Sequence, residues 1–343
     1  MSLDSIVKIT ISTNSLQMAQ TGFGVPLIMA KTPWPERVKT FSYLSDLPKD
    51  LDIKSGLYLS AKALSSQNPK VPKFKIGKRH DEDKTIKTSL QEIIDADPDF
   101  YGVLWVSEHN SASAEYLNEV KELVAAVSER RLLVGVDFTT SDNNANLADF
   151  TKALAETKRV FAIHKASSED YPAAAWMGKM LPQSPGSASW AYQELEGESK
   201  AQLSTDTSEQ LKTAHINRYL NIKNVAVTLD GQVAQGEYID IIHGIDWLHV
   251  RIQERLFRLL MVNPKIPFTL QGVDLVRSEI MAQLKEAVYR GLLADDPEPQ
   301  VSIPNIEDID PITRGKRILS DVKFSGRLAG AIHHIEIHGT VTT

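Results

Sequence analysis

Apolar and polar residues alternate along both ends of the chain, in SIVKITIST near the start and in GAIHHIEIHGTVTT at the end. Successive side chains of a strand point to opposite faces, so each segment is predicted to be a half-buried β-strand. His333 is the polar exception on the apolar face of the second strand. A terminal strand must pair with its own sheet or with a sheet of another subunit, and the glycine-containing polar segments beside both strands favour exchange between subunits. The candidate exchange residues are Val7, Ile9, Ile11, Ile335, Ile337 and Val341.

Apolar and amphipathic stretches alternate between residues 21 and 166. Short apolar stretches such as GVPLIMA, YGVLWVS and LLVGVDF are typical of buried strands, and the segments between them repeat apolar residues at helical spacing. One predicted helix, TSLQEIIDAD, is expected to be capped by Thr88 or Ser89. This alternation predicts an α/β domain, with a parallel or mixed sheet and helices packed against it.

The second half of the chain has a different, more helical pattern. SEQLKTAHINRYLNI (208–222) is predicted to be a helix, and NVAVTLDGQVAQG a hairpin that turns at Asp230 and Gly231. Two long amphipathic helices follow, one beginning near Ile239 and one at Val273. The proline-rich acidic stretch ADDPEPQVSIPNIEDIDPIT is expected to be an extended connection. The predicted organisation is a strand arm and linker (1–20), an α/β domain (21–166), a C-terminal core domain (167–317) and a C-terminal linker and strand arm (318–343).

Composition restricts the possible classes of protein. The chain has 343 residues, 42% of them hydrophobic and 24% charged, which is typical of a soluble globular protein with two or three domains. The net charge of −6 disfavours non-specific nucleic-acid binding. The sequence contains no cysteine, which excludes disulfides and thiolate metal sites. No apolar run approaches the roughly 20 residues that cross a bilayer, and no signal-peptide pattern is present, so we expect neither membrane insertion nor export.

The sequence carries none of the common nucleotide-binding or hydrolase motifs. G-x-x-x-x-G-K-[ST], G-x-G-x-x-G and G-x-S-x-G are all absent. Asp137, Ser141 and Asp142 follow a predicted strand, at the sheet edge where ligands bind in α/β folds, and Glu108 and His109 follow another strand. Such residues are also common in loops. A ligand-binding or enzymatic α/β protein with a site near Asp137 therefore stays open as an alternative, although nothing in the sequence supports an enzyme.

Two groups of histidines were considered as metal ligands. His334, Glu336 and His338 share the polar face of the last strand, about 7 Å apart, but zinc would need a fourth ligand or a water. His243 and His249 lie on one predicted helix, separated by roughly 120° around its axis, and cannot share a metal. We therefore predict no metal and no cofactor.

Several segments together carry a resemblance to a known family. DPITRGKRILSDVKFSGRLAGAIHHIEIHGTVTT strongly resembles the closing segment of contractile tail sheath proteins of tailed phages, closest to a short sheath family often catalogued as a domain of unknown function. MSLDSIVKITIST and GFGVPLI are similar to the start of that family, and MLPQSPGSASW to its P-G-S loop. GEYIDIIHGIDWLHVRIQERLFRLL and KIPFTLQGVDLVRSEI resemble its long-helix region. The resemblance is weakest over residues 40–165.

The resemblance implies a structural role and no enzymatic activity. Sheath subunits form hexameric rings that stack helically around a tail tube and contract to drive the tube through the host envelope for genome ejection, without nucleotide hydrolysis. Terminal arms add strands to neighbouring subunits and complete a small sheet in the C-terminal domain. The implied partners are further copies of the chain, the tube protein, and baseplate and tail terminator proteins, with no direct nucleic acid. The implied location is the contractile tail of a virion, assembled in the cytoplasm of a bacterial host.

The same resemblance places the tube-facing surface in the C-terminal half, and the helix from Val273 to Leu292 is the candidate. If its apolar residues are buried, its basic residues Arg277, Lys285 and Arg290 point mostly outward and could meet acidic groups on a tube. An ordinary solvated helix face is the alternative for this surface. For the whole protein, a non-contractile oligomer that forms rings also remains open.

Overall fold

The computed structural model describes residues 22–141, 144–155 and 157–337. The predicted N-terminal strand lies outside these ranges. Asp142, His338 and Val341 lie outside them too. The candidate exchange residues Val7, Ile9 and Ile11 are therefore outside the described part of the chain as well.

A large mixed sheet of eight strands organises most of the fold. Its order is β2-β3-β1-β4-β5-β6-β7-β8, in which β2 and β8 are antiparallel to their neighbours and the six strands between them are parallel. The parallel strands are almost wholly buried because helices cover both faces of the sheet. The strands are β1 (Pro26–Ala30), β2 (Val38–Phe41), β3 (Phe74–Lys78), β4 (Gly102–Trp105), β5 (Leu133–Phe138), β6 (Val160–His164), β7 (Ile216–Ile222) and β8 (Val225–Leu229).

The order β3-β1-β4-β5-β6 is that of a doubly wound α/β fold. The chain passes from β1 outward to β3 on one side, returns to β4 on the other side, and then continues outward through β5 and β6. The direction of winding therefore reverses between β1 and β4, and in open α/β sheets ligands bind at this reversal, beyond the carboxyl ends of the strands.

Two hydrophobic cores lie on the two faces of the sheet. Ile28 belongs to the core beneath α1 and α5, whereas its neighbours Leu27 and Met29 belong to the core beneath α2, α3 and α4. Helices α1 and α5 cross so closely at Gly178 that only glycine fits there. A Cβ at this position would lie 2.1 Å from the carbonyl oxygen of Leu64. The helices of this half are α1 (Gly56–Ser65), α2 (Ile86–Ala96), α3 (Ala114–Val127), α4 (Leu147–Leu154), α5 (Pro172–Met180) and α6 (Thr205–Thr213).

The cap of α2 differs from its prediction. Thr85 is the N-cap, and its hydroxyl accepts a hydrogen bond from the backbone N–H of Thr88 at 3.1 Å. The Ser89 hydroxyl instead donates to Asp83. The prediction of Thr88 or Ser89 was wrong because the helix begins earlier than its apolar periodicity indicates.

The helix predicted over 208–222 is also wrong in its second half. Helix α6 ends at Thr213, and His215 has a positive φ of 54°, a conformation that interrupts a helix. The chain then continues as β7, which pairs with β6, and the side-chain amide of Asn217 donates to the carbonyl of Ala162 at 2.8 Å. Pairing with a buried strand thus overrides the local helical pattern.

The β7–β8 hairpin turns at a different place from the one predicted. Lys223 and Asn224 connect the two strands with φ values of 47° and 71°, as a two-residue type I′ turn requires. Asp230 and Gly231 follow β8 and do not join two strands. The hairpin lies beyond residue 166, so the large sheet continues past the predicted border of the α/β domain.

The two long helices predicted from periodicity are α7 (Ile239–Val262) and α8 (Leu270–Tyr289), and they pack against each other. Helix α7 is joined to the sheet by buried polar contacts. The carboxylate of Asp246 forms an ion pair with Arg159 and accepts a hydrogen bond from the Tyr101 hydroxyl at 2.9 Å. Both halves of the chain therefore share one packed core.

A small second sheet follows the long helices. Strands β9 (Gln300–Ser302) and β10 (Lys323–Ser325) are antiparallel, and a separate antiparallel bridge joins Leu293 to Leu328. The stretch predicted to be an extended connection thus contains β9, a short 3₁₀ turn (Ile306–Asp308) and α9 (Pro311–Gly315). The predicted α/β fold, with long helices and a small sheet in the second half, is confirmed.

Candidate assembly surfaces

The segment 330–337, called here the C-terminal arm, presents apolar side chains to solvent. Ile332, Ile335 and Ile337 are 83%, 73% and 86% exposed, and residues 330–337 form no strand with the rest of the described chain. Side chains of this size stabilise a structure by about 1.5–3 kcal/mol when they are buried. The role of Ile335 and Ile337 in strand exchange stays a prediction.

His333 holds the arm to the body of the subunit. Its Nε2 lies 2.7 Å from the Ser189 hydroxyl, and its carbonyl accepts a hydrogen bond from the Tyr192 hydroxyl at 2.6 Å. Its ring also packs edge-on against Tyr192 and Tyr238, with centroids 5.8 and 4.9 Å away. The polar residue on the predicted apolar face is thus a docking residue, and we call these contacts the His333 anchor.

Two sheet edges lie near the path of the arm. The outer edge of β8 is partly occupied, because Thr228 exchanges backbone hydrogen bonds with Tyr192 and Gln193 at 2.7 and 2.9 Å. The small sheet has only β9 and β10 among the described residues, so each strand has one side without a partner strand. Such edges are the usual acceptors of an added strand.

Two of the three candidate tube-contacting residues lie on the exposed face of α8. The side chain of Arg277 is 51% exposed, with Asp274 at 3.8 Å, and that of Lys285 is 64% exposed, with Glu298 at 3.7 Å. Ion pairs as exposed as these contribute only about 0–1 kcal/mol. Both side chains are therefore available to a partner at little cost.

Arg290 does not point outward as predicted. It is the C-cap residue of α8, and its guanidinium turns back to pair with Glu286 at 2.8 Å and lies 5.0 Å from the centre of the Trp247 ring. It also hydrogen-bonds Ser184. The helical periodicity fails for Arg290 because the residue lies where the helix ends.

An apolar tip at the α7–α8 turn was missed by the sequence analysis. The tip is formed by side chains that are 43% to 69% exposed: Leu260, Met261, Val262, Leu270 and Leu275. Amphipathic spacing alone assigns Leu260 to the buried face with Leu259, but the end of α7 extends past the core and only Leu259 is covered.

The strongest candidate for a ligand site is a cavity of about 460 Å³ at the carboxyl edge of the large sheet. It lies at the reversal point between β1 and β4, and Glu108, His109 and Asp137 all line it. The hydroxyl of Ser141 instead donates a hydrogen bond to the side-chain oxygen of Asn146 at 3.0 Å. The structure thus brings together most of the residues of the alternative site, but not Ser141.

Asp137 lies at the base of this cavity. One carboxylate oxygen accepts the backbone N–H of Ala173 at 3.0 Å, and burial raises the pKa of Asp137 to about 6. Nearby Glu198 has a pKa raised to about 8 by burial, with Asp137 and Asp170 adding to the effect.

At the histidines of the arm, Nε2 of His334 lies 3.3 Å from a Glu336 oxygen, and both side chains are largely exposed. In the part of the chain that the structure covers, no three His, Asp or Glu side chains are grouped as metal ligands would be. Within the same residues, no helix is long and apolar enough to span a membrane.

Comparison with solved structures defines the class of the fold. A chain of the structure described as "an Extracellular Contractile Injection System, PVC sheath complex in contracted state" matches with a TM-score of 0.73 and 16% identity, over 97% of this chain and 96% of that chain. A chain of the anti-feeding prophage (AFP) helical sheath in contracted state matches with a TM-score of 0.66 and 12% identity, over 97% of this chain and 98% of that chain. A chain of the AFP baseplate, 6-fold symmetrised, matches with a TM-score of 0.71 and 13% identity over the full length of both chains. The fold is that of contractile injection system sheath proteins.

A family model gives a more particular match. Residues 239–315 match the C-terminal domain of the E217 tail sheath protein gp31-like family, and these residues include α7, α8, β9 and α9. No protein of curated function matches the chain in sequence. The resemblance to tail sheath proteins that was drawn from sequence segments is therefore confirmed.

Proposed function

We propose that the chain is a structural subunit of a contractile tail sheath and has no enzymatic activity. The observation that carries this proposal is the tail sheath match over residues 239–315, on a chain whose fold follows sheath proteins along almost its whole length. Subunits assemble as hexameric rings stacked around a tail tube, and contraction drives the tube through the host envelope. The energy comes from the assembled extended state, without nucleotide hydrolysis.

The partners in this proposal are other copies of the chain, the tube protein, and baseplate and tail terminator proteins. The particle is a contractile tail of a virion, assembled in the cytoplasm of a bacterial host. Exchanged arms connect the subunits, and the open edges of the small sheet are the proposed acceptors. The exposed isoleucines of the C-terminal arm support this role because pairing with a neighbouring sheet would bury them.

Electron microscopy of the purified protein in negative stain tests the assembly. We expect long hollow tubes of stacked rings, and a shorter, wider form of the same tubes after contraction. Isolated rings without two forms would instead support the non-contractile oligomer. A monodisperse monomer that turns over a small molecule would support the alternative α/β enzyme.

Charge reversal on α8 tests the tube contact. We expect Arg277→Glu with Lys285→Glu to abolish co-assembly with the tube, because many weak ion pairs repeated along a tail sum to a large and salt-sensitive energy. Self-assembly of the sheath is expected to stay intact. The measurement is co-sedimentation with purified tube at two salt concentrations.

The matched control reverses two exposed lysines on helices of the α/β domain, Lys87→Glu with Lys121→Glu. This variant has the same change in net charge and is expected to bind the tube as the wild type does. If both variants lose tube binding equally, the contact is not on α8.

We also expect that assembly needs no metal ion. Chelation should leave the lengths of the tubes unchanged, since the exposed pair of His334 and Glu336 offers a metal no closed set of ligands. The check combines elemental analysis of the purified protein with length distributions before and after chelation. Stoichiometric zinc that is lost together with assembly would contradict this expectation.

A further inference from the structure

The cavity at the carboxyl edge of the large sheet is lined by an ammonium group with no hydrogen-bond partner among the described residues. Lys165 follows β6, is 9% exposed and lines the cavity. Its Nζ lies 3.8 Å from the centre of the Tyr171 ring. No ion pair joins it to Asp137, although the two charges attract across the cavity base and lower the pKa of Asp137 against the effect of burial. An ammonium group carries three donors and no acceptor, so its N–H groups remain available to an acceptor inside the cavity.

The N-terminus of α1 reaches the same point. Ser55, Gly56 and Leu57 line the cavity, and the Ser55 hydroxyl caps the N–H of Tyr58. The N–H groups of the first helical residues have no partner within the helix and carry its partial positive charge. A Cβ at Gly56 would lie 2.6 Å from the Tyr171 hydroxyl, so the helix end, the tyrosine ring and the Lys165 ammonium are close together. The absence of a side chain at Gly56 lets the Tyr171 hydroxyl approach the end of the helix.

An acceptor lies on the opposite side of the cavity base. Asp137 uses one carboxylate oxygen for the N–H of Ala173, which leaves the other able to accept a hydroxyl. The volume of about 460 Å³ is within the range of small-molecule sites, and the cavity lies where doubly wound folds bind their ligands. Donors at one end and an acceptor at the other select a molecule with an oxyanion and neighbouring hydroxyls.

We propose that this cavity binds a small hydroxylated oxyanion, such as a sugar phosphate or sugar acid, with its anionic group between the N-terminus of α1 and Lys165. The site adds a ligand-binding role to the α/β domain and does not depend on the sheath function. The phosphate and carboxylate forms share the same recognition chemistry, and two probes separate them.

The experiment titrates the full-length protein with ribose 5-phosphate, gluconate and ribose, and follows binding by calorimetry and thermal unfolding. At least one of the two anions is expected to bind and to raise the unfolding temperature, as a ligand of the native state does, whereas ribose, which lacks the oxyanion, does neither. The probe that binds more tightly identifies the anionic group. The proposal is overturned if neither anion binds at about 10 mM, or if ribose binds as tightly as they do.

Variants locate the site. Lys165→Met removes the ammonium and is expected to weaken binding at least about tenfold, since it removes a charge-assisted hydrogen bond. The matched control is Lys121→Met on the exposed face of α3, away from the cavity, and this variant should bind the anion within about threefold of the wild-type affinity. Gly56→Ala would place a methyl group against the Tyr171 hydroxyl at the same end of the cavity and should also weaken binding, so the test does not rest on one variant. Undiminished binding in both Lys165→Met and Gly56→Ala places the ligand elsewhere and overturns the site.

Discussion

Deletion of residues 334–343 is expected to abolish tube formation and to leave the subunit folded. The deletion removes residues 334–337 of the C-terminal arm and the residues beyond them, but keeps the His333 anchor and every strand that the structure describes in both sheets. Electron microscopy should show mean tube length reduced at least about tenfold, because under the proposed strand exchange every subunit would lose a strand that connects it to a neighbour. The unfolding temperature of the subunit should change by less than about 3 °C, since the described residues among those deleted, 334–337, are exposed. Removal of residues 1–16 tests the N-terminal arm in the same way.

A pair of double variants makes this test specific for the apolar face. Ile335→Ser with Ile337→Ser should prevent long tubes as the deletion does. His334→Ser with Glu336→Ser changes the same number of neighbouring residues on the other face and should assemble normally. Long tubes from the deleted chain, or equal loss in both double variants, would show that the alternating pattern does not mark a donated strand.

Breaking the buried ion pair of Asp246 and Arg159, which joins α7 to the sheet, is expected to lower the free energy of unfolding more than the other substitutions described. Asp246→Ala leaves the Arg159 guanidinium buried without its carboxylate and removes the acceptor of the Tyr101 hydroxyl. Asp246 and Arg159 are 2% and 8% exposed, and loss of one partner of such a pair costs about 3–5 kcal/mol of the free energy of unfolding. Urea denaturation followed by circular dichroism measures the change.

Glu254→Ala on the same helix is the control, because it breaks the more exposed pair with Arg251 and should cost only about 0–1 kcal/mol. The double variant Asp246→Leu with Arg159→Met should be less destabilised than Asp246→Ala, since no unpaired charge is left inside. If Asp246→Ala unfolds within about 1 kcal/mol of the wild type, the pair does not hold α7 to the sheet.

The α/β architecture could be predicted because its elements are long, periodic and locally consistent. Strands such as β4 and β5 are continuous apolar runs, and α3 repeats its apolar residues at helical spacing. The strand β7 could not be predicted in the same way. Its sequence INRYLNI has no strong local preference, and its conformation is decided by pairing with β6, whose position only the folded chain reveals.

The candidate sites could likewise be predicted only in part. The carboxyl edge near Asp137 follows from the order of strands and helices, so sequence could indicate it. The position of the Lys165 ammonium over the Tyr171 ring and the contact of Tyr171 with Gly56 depend on how α1 and Tyr171 approach each other, which no spacing encodes. The inward turn of Arg290 was missed for a related reason, because helical periodicity does not continue beyond the last turn of α8.

The His333 anchor has a mechanical consequence for an assembly connected through the arm. Between the last paired residue near Leu328 and His333, the chain is fixed at both ends to its own subunit. Release of His333 would free four residues, 330–333, which can extend by at most about 13–14 Å of contour length. The contacts that must break are two hydrogen bonds and two edge-on ring contacts, far fewer than a paired strand makes. A change in the distance between subunits can thus be absorbed as slack at the base of the arm while the donated strand stays in its acceptor sheet.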